Sequence, residues 1–301
     1  MDAQVSQTSP DAARVAWIGT GIMGSSMAGH LLRAGHPVTV HSRTKSRAKP
    51  LLDAGAAWAD SPAEAARGAD IVCTCVGMPA EVEAVYFGEG GVCSAIRAGQ
   101  TLVDFSTSRP SFARRLAAAA EEVGAHALDA PVSGGDVGAR NAALSIMVGG
   151  HPAAFERMRP VFERLGKTIV HQGGPGCGQQ TKIVNQILVA ANTLGMCEAL
   201  HFARSAGLDS AQVLASVGGG AAASWSISVL APRVLNGDFD PGFIVEHLVK
   251  DLRIAKEEAG ELGQWLPLVE LCLSRYERLV EVGHGRRGTQ GLYLLYRDGL
   301  G

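Results

Sequence analysis

The chain has 301 residues, of which 47% are hydrophobic and 19% are charged, and its formal net charge is −2. This composition indicates a globular protein with ample core, organised as one large or two ordinary domains. The balanced charge contains no basic block, so neither a nucleic acid nor an anionic membrane is indicated as a partner.

Residues 1–13 are predicted to form a disordered tail, because the first dozen are polar and lack the apolar segment of an export signal. The six cysteines form no CxxC pair and have no histidine spacing typical of a metal site. We therefore expect reduced thiols, no metal and a cytoplasmic location. No apolar run is expected to reach membrane-spanning length without charges or breakers.

A glycine motif follows the first predicted strand, residues 14–18. A helix over 25–34 and a second strand over 37–41 come next. GxGxxG alone is weak evidence, but between a strand and a helix it predicts a dinucleotide site; the alternative is a glycine-rich turn that binds nothing. Such glycines let a pyrophosphate approach the amides of a helix N-terminus. The expected cofactor contacts are Gly19, Gly21, Ile22, Met23 and Gly24.

The residues after the second strand bear on which cofactor binds. An NAD enzyme usually carries Asp or Glu there for the ribose 2′-hydroxyl, whereas this chain has Ser42, Arg43 and Thr44. The two hydroxyls and the guanidinium can bind a 2′-phosphate. This segment therefore predicts NADPH rather than NADH, the alternative being a solvated basic helix start.

Helices and strands then alternate. The predicted helices are 45–54, 62–67, 80–86, 111–123 and 152–165, and the predicted strands are a short one near 57, then 70–76, 101–104, 126–128, 144–148 and 168–171. We expect cofactor contacts from Met78, Pro79 and Glu83, at the edge where a doubly wound sheet places its ligand loops. Thr107 is predicted to lie by the nicotinamide, and Ser108 to cap the helix after Pro110.

A loop is predicted from Asp129 to Ala139, which begins DAPVSGG. It has three glycines among residues 134–138 and is set off by Pro131. Its amides are expected to face a small anion such as a carboxylate.

A long helix is predicted from Cys177 to about Ala206. Lys182, Asn185 and Gln186 lie at i, i+3 and i+4 and therefore share one face. A lysine among apolar residues either extends its amine to water or is held for chemistry. The remainder is helical, so we predict an α/β Rossmann-type NADP-binding domain over 14–176 and an all-helical substrate and dimerisation domain over 177–301.

Together, the glycine fingerprint, DAPVSGG and Gly178-x-x-x-Lys182-x-x-Asn185 resemble the β-hydroxyacid dehydrogenase family. This family includes 3-hydroxyisobutyrate dehydrogenase, tartronate semialdehyde reductase and glyoxylate/succinic semialdehyde reductase. Phe243 followed by Lys250-Asp251 is similar to the family's closing segment for cofactor and substrate. The Ser42-Arg43-Thr44 segment is similar to the corresponding segment of the NADPH-using glyoxylate/succinic semialdehyde reductases. The resemblance extends from about Val15 to about Ala255.

The resemblance implies hydride transfer from NADPH to the carbonyl of a small semialdehyde or keto acid that bears a carboxylate. Lys182 would be the acid/base, with Asn185 and Gln186 beside it. Ser133, Gly134 and Gly135 would hold the substrate carboxylate. The other implied contacts are Thr107 by the nicotinamide, Phe243 and Asp251 on the substrate side, and Lys250 near the cofactor. The helical domain would form a homodimer or homotetramer.

Two residues depart from the family pattern. Gln186 stands where a second Asn is common, and Ala142 stands where the family carries glycine. Alternative hypotheses are an imine reductase, which lacks the DAPVSGG and lysine pair, and 6-phosphogluconate dehydrogenase, which has His at the position of Asn185 and a longer chain. A catalytically idle NADPH-binding module is a third. Asp251 is alternatively a surface carboxylate.

Overall fold

The computed structural model describes residues 12–300. The chain divides into two compact units, residues 1–182 and 183–301. The division therefore lies inside the long helix, a few residues after the boundary expected at 176/177. Most of the predicted disordered tail lies outside the described residues.

A nine-stranded sheet forms the first unit. Its strands are β1 (Val15–Ile18), β2 (Val38–His41), β3 (Ala57–Trp58), β4 (Ile71–Thr74), β5 (Thr101–Asp104), β6 (His126–Asp129), β7 (Val132–Ser133), β8 (Leu144–Gly150) and β9 (Gly166–Gly173). The first six are parallel in the order β3-β2-β1-β4-β5-β6. This order is that of a doubly wound dinucleotide-binding sheet, so the predicted fold class is confirmed. β8 runs antiparallel to β6 and β7, and β9 pairs with β8 in parallel.

Helices connect these strands. They are α1 (Ile22–Arg33), α2 (Lys49–Asp53), α3 (Pro62–Arg67), α4 (Pro79–Phe87), α5 (Pro110–Glu122), α6 (Gly135–Arg140) and α7 (Pro152–Phe162). Successive residues of β1 contribute to two cores: Val15 and Trp17 belong to one, and Ala16 and Ile18 to the other. Because successive side chains of a strand point to opposite faces, the sheet is covered on both sides.

Long helix α8 (Cys177–Ser205) begins in the first unit and ends in the second. By length and composition alone it is the one helix among residues 12–300 that could cross a membrane, although its apolar run is interrupted by Lys182 and Glu198. The core helix of a globular domain passes the same test. Ala190, Leu194, Cys197 and Leu200 of α8 lie in the core of the second unit, so this evidence for a membrane span is weak.

The second unit is helical throughout its described part. Its helices after α8 are α9 (Ser210–Val217), α10 (Ala231–Leu235), α11 (Val245–Glu261), α12 (Pro267–Leu279) and α13 (Tyr293–Arg297). A π-helical turn, Ser226–Leu230, precedes α10, and another, Val280–His284, follows α12. The helical stretches 226–235 and 267–284 therefore each contain a change of helix type.

The DAPVSGG segment is not the open loop that its glycines suggested. β7 forms within it, and helix α6 begins at its last residue, Gly135. Gly134 and Gly135 have φ of 128° and 62°, which makes the turn from strand to helix. Asp136 and Arg140 then pair at 2.6 Å across one helical turn, which supports a helix that glycine content argued against.

Ala142 lies just beyond α6 with a φ of 50°, in the left-handed region that favours glycine. This position is the one at which the family pattern carries glycine. For a residue with a Cβ this conformation costs roughly 1–2 kcal/mol.

Replacing Ala142 with glycine is expected to raise the free energy of unfolding by about 0.5–1 kcal/mol. The relief of backbone strain exceeds the added chain entropy of glycine in the unfolded state. Urea unfolding would measure the change. Ala143→Gly is the matched control, since its φ is not positive, and it is expected to destabilise. An Ala142→Gly protein no more stable than the Ala143→Gly protein would contradict the assignment of strain.

Candidate functional site

Three glycines shape the turn between β1 and α1. A Cβ on Gly19, whose φ is 99°, would lie 2.2 Å from the Cys75 carbonyl oxygen, and one on Gly24 would lie 2.1 Å from the Gly19 carbonyl oxygen. These two positions permit only glycine because the backbone segments touch. A Cβ on Gly21 would meet nothing within 4 Å among the described residues. Gly21 therefore borders open space at the start of α1.

The N-terminus of α1 suits an anion. Gly21 is the N-cap and provides no side-chain hydrogen bond, and the first turn carries no acidic residue. Ile22, the first helical residue, is 65% exposed, whereas Met23 packs against the core of the sheet. Backbone amides at such an end bind phosphate groups, so the residues present fit the pyrophosphate of a dinucleotide.

Arg43 lies beyond the end of β2 beside a carboxylate that sequence reasoning did not identify. Its Nη1 lies 2.6 Å from Glu81 Oε1, and its side chain is 82% exposed. Glu81 also accepts hydrogen bonds from the amides of Gly77 and Met78, each at 3.1 Å. Burial opposes ionisation of Glu81, but the hydrogen bonds from Arg43 and these amides outweigh it and lower the pKa of this carboxyl group. Ser42 is half-buried and Thr44 is exposed.

Met78 and Pro79 begin α4 as its N-cap and first helical residue. A cavity of about 420 Å³ lies beside them, with Pro79, Glu83, Ser108 and Arg115 among its lining residues. Glu83 is ion-paired with Arg115.

Hydrogen bonds from backbone amides hold segment 106–108, which lies between β5 and α5. Ser106 N–H donates to Asp104 Oδ1 at 3.0 Å, and Ser108 N–H donates to Gln179 Oε1 at 3.0 Å. Thr107 is half-buried between these two buried serines.

The predicted cap by Ser108 is wrong. Pro110 is the first residue of α5, which makes the extended Arg109 the N-cap. Ser108 lies one residue too early to cap, and its buried hydroxyl has no hydrogen-bond partner among residues 12–300.

Lys182 lies beside the DAPVSGG segment. Its ammonium donates a 2.9 Å hydrogen bond to the carbonyl of Val132, and the residue is only 7% exposed. Ser133, Gly134 and Gly135 follow Val132 directly. The first unit therefore brings the predicted acid/base to the predicted carboxylate-binding residues, and the amine does not extend to water.

Asp129, the first residue of DAPVSGG, holds the start of α8. Its two carboxylate oxygens accept hydrogen bonds from the amides of Gly176 and Gln179, each at 2.8 Å. Burial raises the pKa of Asp129 to about 6, against the opposing effect of these amides. A Cβ on Gly178 would lie 2.5 Å from the carbonyl oxygens of Asp129 and Met147, so helix and sheet touch backbone to backbone. The glycine of the Gly-x-x-x-Lys motif thus sets the close approach of α8.

In the second unit, four polar side chains form a chain of contacts. Asn185 Nδ2 donates to Gln186 Oε1 at 2.7 Å, and Gln186 Nε2 donates to Asp251 Oδ2 at 2.5 Å. The Lys250 ammonium lies 2.8 Å from Asp251 Oδ1, in an ion pair without the angles of a hydrogen bond. Asp251 is 2% exposed, so the alternative of a surface carboxylate is wrong. Gln186 therefore reaches from α8 to α11.

Phe243 is half-buried near the start of α11 and packs against the core of the second unit. Within residues 12–300, no group of three or more His, Cys, Asp or Glu side chains is arranged to hold a metal ion.

Two family models match the chain. The NAD binding domain of 6-phosphogluconate dehydrogenase matches residues 14–174, and the NAD-binding model of NADP-dependent 3-hydroxyisobutyrate dehydrogenase matches residues 176–296. The uncharacterized oxidoreductase YkwC of Bacillus subtilis is 48% identical over 94% of this chain and 98% of its own. The 2-hydroxy-3-oxopropionate reductase of Escherichia coli is 42% identical over 86% of this chain and 88% of its own.

Among solved structures, 3-hydroxyisobutyrate dehydrogenase of Mycobacterium tuberculosis with L-serine is similar. The TM-score is 0.87 at 30% identity, over 95% of this chain and 99% of that chain.

Proposed function

The chain belongs to the β-hydroxyacid dehydrogenase family of NAD(P)-dependent oxidoreductases, and on that premise we propose that it uses NADPH to reduce the carbonyl of a small semialdehyde or keto acid. One observation carries the proposal: the buried Lys182 ammonium is bound to the Val132 carbonyl, directly beside Ser133, Gly134 and Gly135.

The lysine has a physical reason to be there. Removing an ammonium from water is costly, and the hydrogen bond to the neutral Val132 carbonyl does not neutralise its charge. A lysine serving stability alone would gain more by extending its amine to solvent. Its position next to a turn with two positive-φ glycines supports a role in chemistry.

In the proposed reaction, Ser133 and the amides of Gly134 and Gly135 bind the substrate carboxylate. NADPH, when bound, supplies a hydride to the carbonyl carbon. Lys182 donates a proton to the carbonyl oxygen as negative charge develops there, and in the oxidation direction its neutral amine takes the proton back. A lysine ammonium is available as an acid near neutral pH without special tuning, so reduction is the expected direction. Placement of the carbonyl by the carboxylate anchor contributes most of the rate.

The chain's own residues hold the cofactor in this proposal. The amides at the start of α1 bind the pyrophosphate, and Thr107 lies by the nicotinamide. Ser42, Arg43 and Thr44 bind the 2′-phosphate of NADPH. The Arg43 guanidinium leaves Glu81 and pairs with this phosphate. Because an exposed ion pair contributes only about 0–1 kcal/mol, releasing Arg43 from Glu81 costs little compared with binding a phosphate.

Arg43→Ala is expected to reduce the preference for NADPH over NADH by about 10- to 100-fold. This change corresponds to the loss of a hydrogen bond between charged groups. The measurement is kcat/KM with each cofactor. Arg67→Ala is the control, because Arg67 is an exposed arginine at the end of α3 that precedes β4. An unchanged cofactor ratio in Arg43→Ala would contradict the role of Arg43.

The proposed activity is tested by titrating the protein with NADPH and with NADH by fluorescence. NADPH consumption is then followed with glyoxylate and with succinic, tartronate and methylmalonate semialdehydes. Turnover of one of these acids supports the proposal. Tight NADPH binding without consumption in the whole panel would favour the catalytically idle module instead.

A homodimer or homotetramer formed through the second unit is part of the proposal. Phe202 and Trp265 of that unit are 71% and 77% exposed, and a contact between subunits would bury such apolar side chains. All six cysteines are free thiols, which supports the proposed cytoplasmic location.

A further inference from the structure

The side chain of Gln179 bridges the two neighbours of Thr107. Its Nε2 donates a 2.8 Å hydrogen bond to the Ser106 carbonyl, and its Oε1 accepts a 3.0 Å hydrogen bond from the Ser108 amide. We infer that Gln179 is a positioning residue that fixes Thr107 relative to Lys182. This inference rests on the proposed function, in which Thr107 lies by the nicotinamide and Lys182 transfers the proton.

The bridge is buried and well defined. Gln179 is 0% exposed, Ser106 2% and Ser108 1%, while Thr107 between the serines is half-buried. An amide side chain is suited to this task, since it offers one donor and one acceptor to the two ends of a short backbone segment. Thr107 is therefore presented from a segment whose neighbouring residues are both fixed.

A second connection holds the other side of the segment. The Ser106 hydroxyl accepts a hydrogen bond from the Val76 amide at 3.0 Å, and the Ser106 amide donates to Asp104. These contacts fix Ser106 to the ends of β4 and β5. The Ser108 amide, in contrast, is bound by Gln179. Loss of the glutamine amide would therefore loosen the segment mainly at Ser108.

Gln179 belongs to the same helical segment as Lys182, three residues earlier. The backbone amide of Gln179 donates a hydrogen bond to Asp129, the last residue of β6. The Lys182 ammonium donates to the carbonyl of Val132, three residues further along the chain. One turn of α8 is thus attached both to the segment after β5 and to the segment after β6. The separation between Thr107 and the Lys182 amine is set through Gln179. Reactions between positioned groups lose about 100-fold in rate for a displacement of about 1 Å.

Gln179→Met tests the inference, because methionine has a similar length and no strong hydrogen-bonding group. We expect kcat to fall about 10- to 100-fold. NADPH affinity is expected to change by less than about threefold, since the pyrophosphate and 2′-phosphate contacts remain. The primary deuterium isotope effect on kcat with 4-deuterated NADPH should rise, because hydride transfer becomes more rate-limiting.

A second readout uses the protein without cofactor. Hydrogen exchange at the Ser108 amide should become faster in Gln179→Met, because that amide loses its acceptor. Gln179→Glu is the second variant, should Gln179→Met fail to fold. It keeps an acceptor for Ser108 but places an oxygen against the Ser106 carbonyl.

Gln100→Met is the matched control. Gln100 is also 0% exposed, and its Nε2 bridges the carbonyls of Ala66 and Ala69, before β5 rather than after it. It is expected to lower stability without changing kcat, the isotope effect or exchange at Ser108.

Equal changes in the Gln179 and Gln100 variants, or wild-type kcat and exchange in Gln179→Met, would overturn the inference. If Gln179→Met behaves as wild type while Lys182→Ala is inactive, only this inference fails. If Lys182→Ala is also active, the acid/base role of Lys182 fails; if the unaltered protein consumes NADPH with no acid of the panel, the proposed function fails.

Discussion

Lys182→Ala is expected to lower kcat by about 10²- to 10⁴-fold, the range that a positioned general acid contributes. The substitution removes the ammonium that is bound to Val132 beside the proposed carboxylate-binding turn. Without it, the oxygen of the substrate must take its proton from water, which is neither oriented nor as acidic. The reduction of a semialdehyde found in the substrate panel, followed by NADPH absorbance, is the measurement.

Two comparisons separate loss of chemistry from loss of structure. NADPH binding by Lys182→Ala should remain measurable by fluorescence, since the proposed phosphate contacts lie at α1 and after β2. Lys167→Ala should behave as wild type, because Lys167 is an exposed lysine on β9 of the same unit. If Lys182→Ala keeps most of its turnover, the assigned acid/base role is wrong.

Gly21→Ala is expected to raise the Kd for NADPH by about 10- to 100-fold while the protein stays folded. The backbone of Gly21, with φ −70° and ψ −174°, suits alanine, and its Cβ would meet no described atom within 4 Å. The methyl group would instead occupy the space through which, in our proposal, a pyrophosphate reaches the α1 amides. The expected rise in the Kd for NADPH corresponds to the loss of hydrogen bonds to a charged phosphate. Fluorescence titration measures the affinity, and thermal unfolding measures the stability.

The other glycines of α1 make this prediction specific. Gly29→Ala, in the same helix, should leave NADPH affinity unchanged, because its Cβ would meet only the flexible end of Arg33 and the Leu51 side chain. Gly24→Ala should destabilise the protein, since its Cβ would lie 2.1 Å from a backbone oxygen. If Gly21→Ala binds NADPH as the wild type does, the pyrophosphate does not approach α1 there.

Local patterns predicted much of this fold. The sequence from β1 through the glycine fingerprint to α1 was sufficient to predict the turn between them. In this tight turn the backbone segments touch, which excludes side chains at Gly19 and Gly24. Helix α3 was predicted with its observed bounds. Its N-cap is Ser61, whose hydroxyl accepts a hydrogen bond from the Glu64 amide. The helix that carries Lys182, Asn185 and Gln186 was predicted from an apolar run without a breaker, and their common face was predicted from their spacing.

Tertiary contacts set what local patterns did not predict. Arg43 and Glu81 are 38 residues apart, and Gln179 lies 71 residues from Ser108, so no window of sequence contains either pair. Glu81 did carry a local signal as the third helical residue after the N-cap of α4. The burial of Asp251 arises because Gln186, on another helix, satisfies one of its oxygens. Helix α6 was missed because its glycines outweighed the supporting Asp136–Arg140 pair.

Rescue of Lys182→Ala by an added small amine is the most direct test of the central claim that an ammonium at this position protonates the substrate. NADPH oxidation by Lys182→Ala, and by Lys182→Gly with its larger space, would be followed at increasing concentrations of ethylammonium, with trimethylammonium as a bulkier comparison. We expect a rate that rises with ethylammonium concentration and depends on the acidity of the added amine. A rate that does not respond to any amine in either variant, while both still bind NADPH, would contradict it.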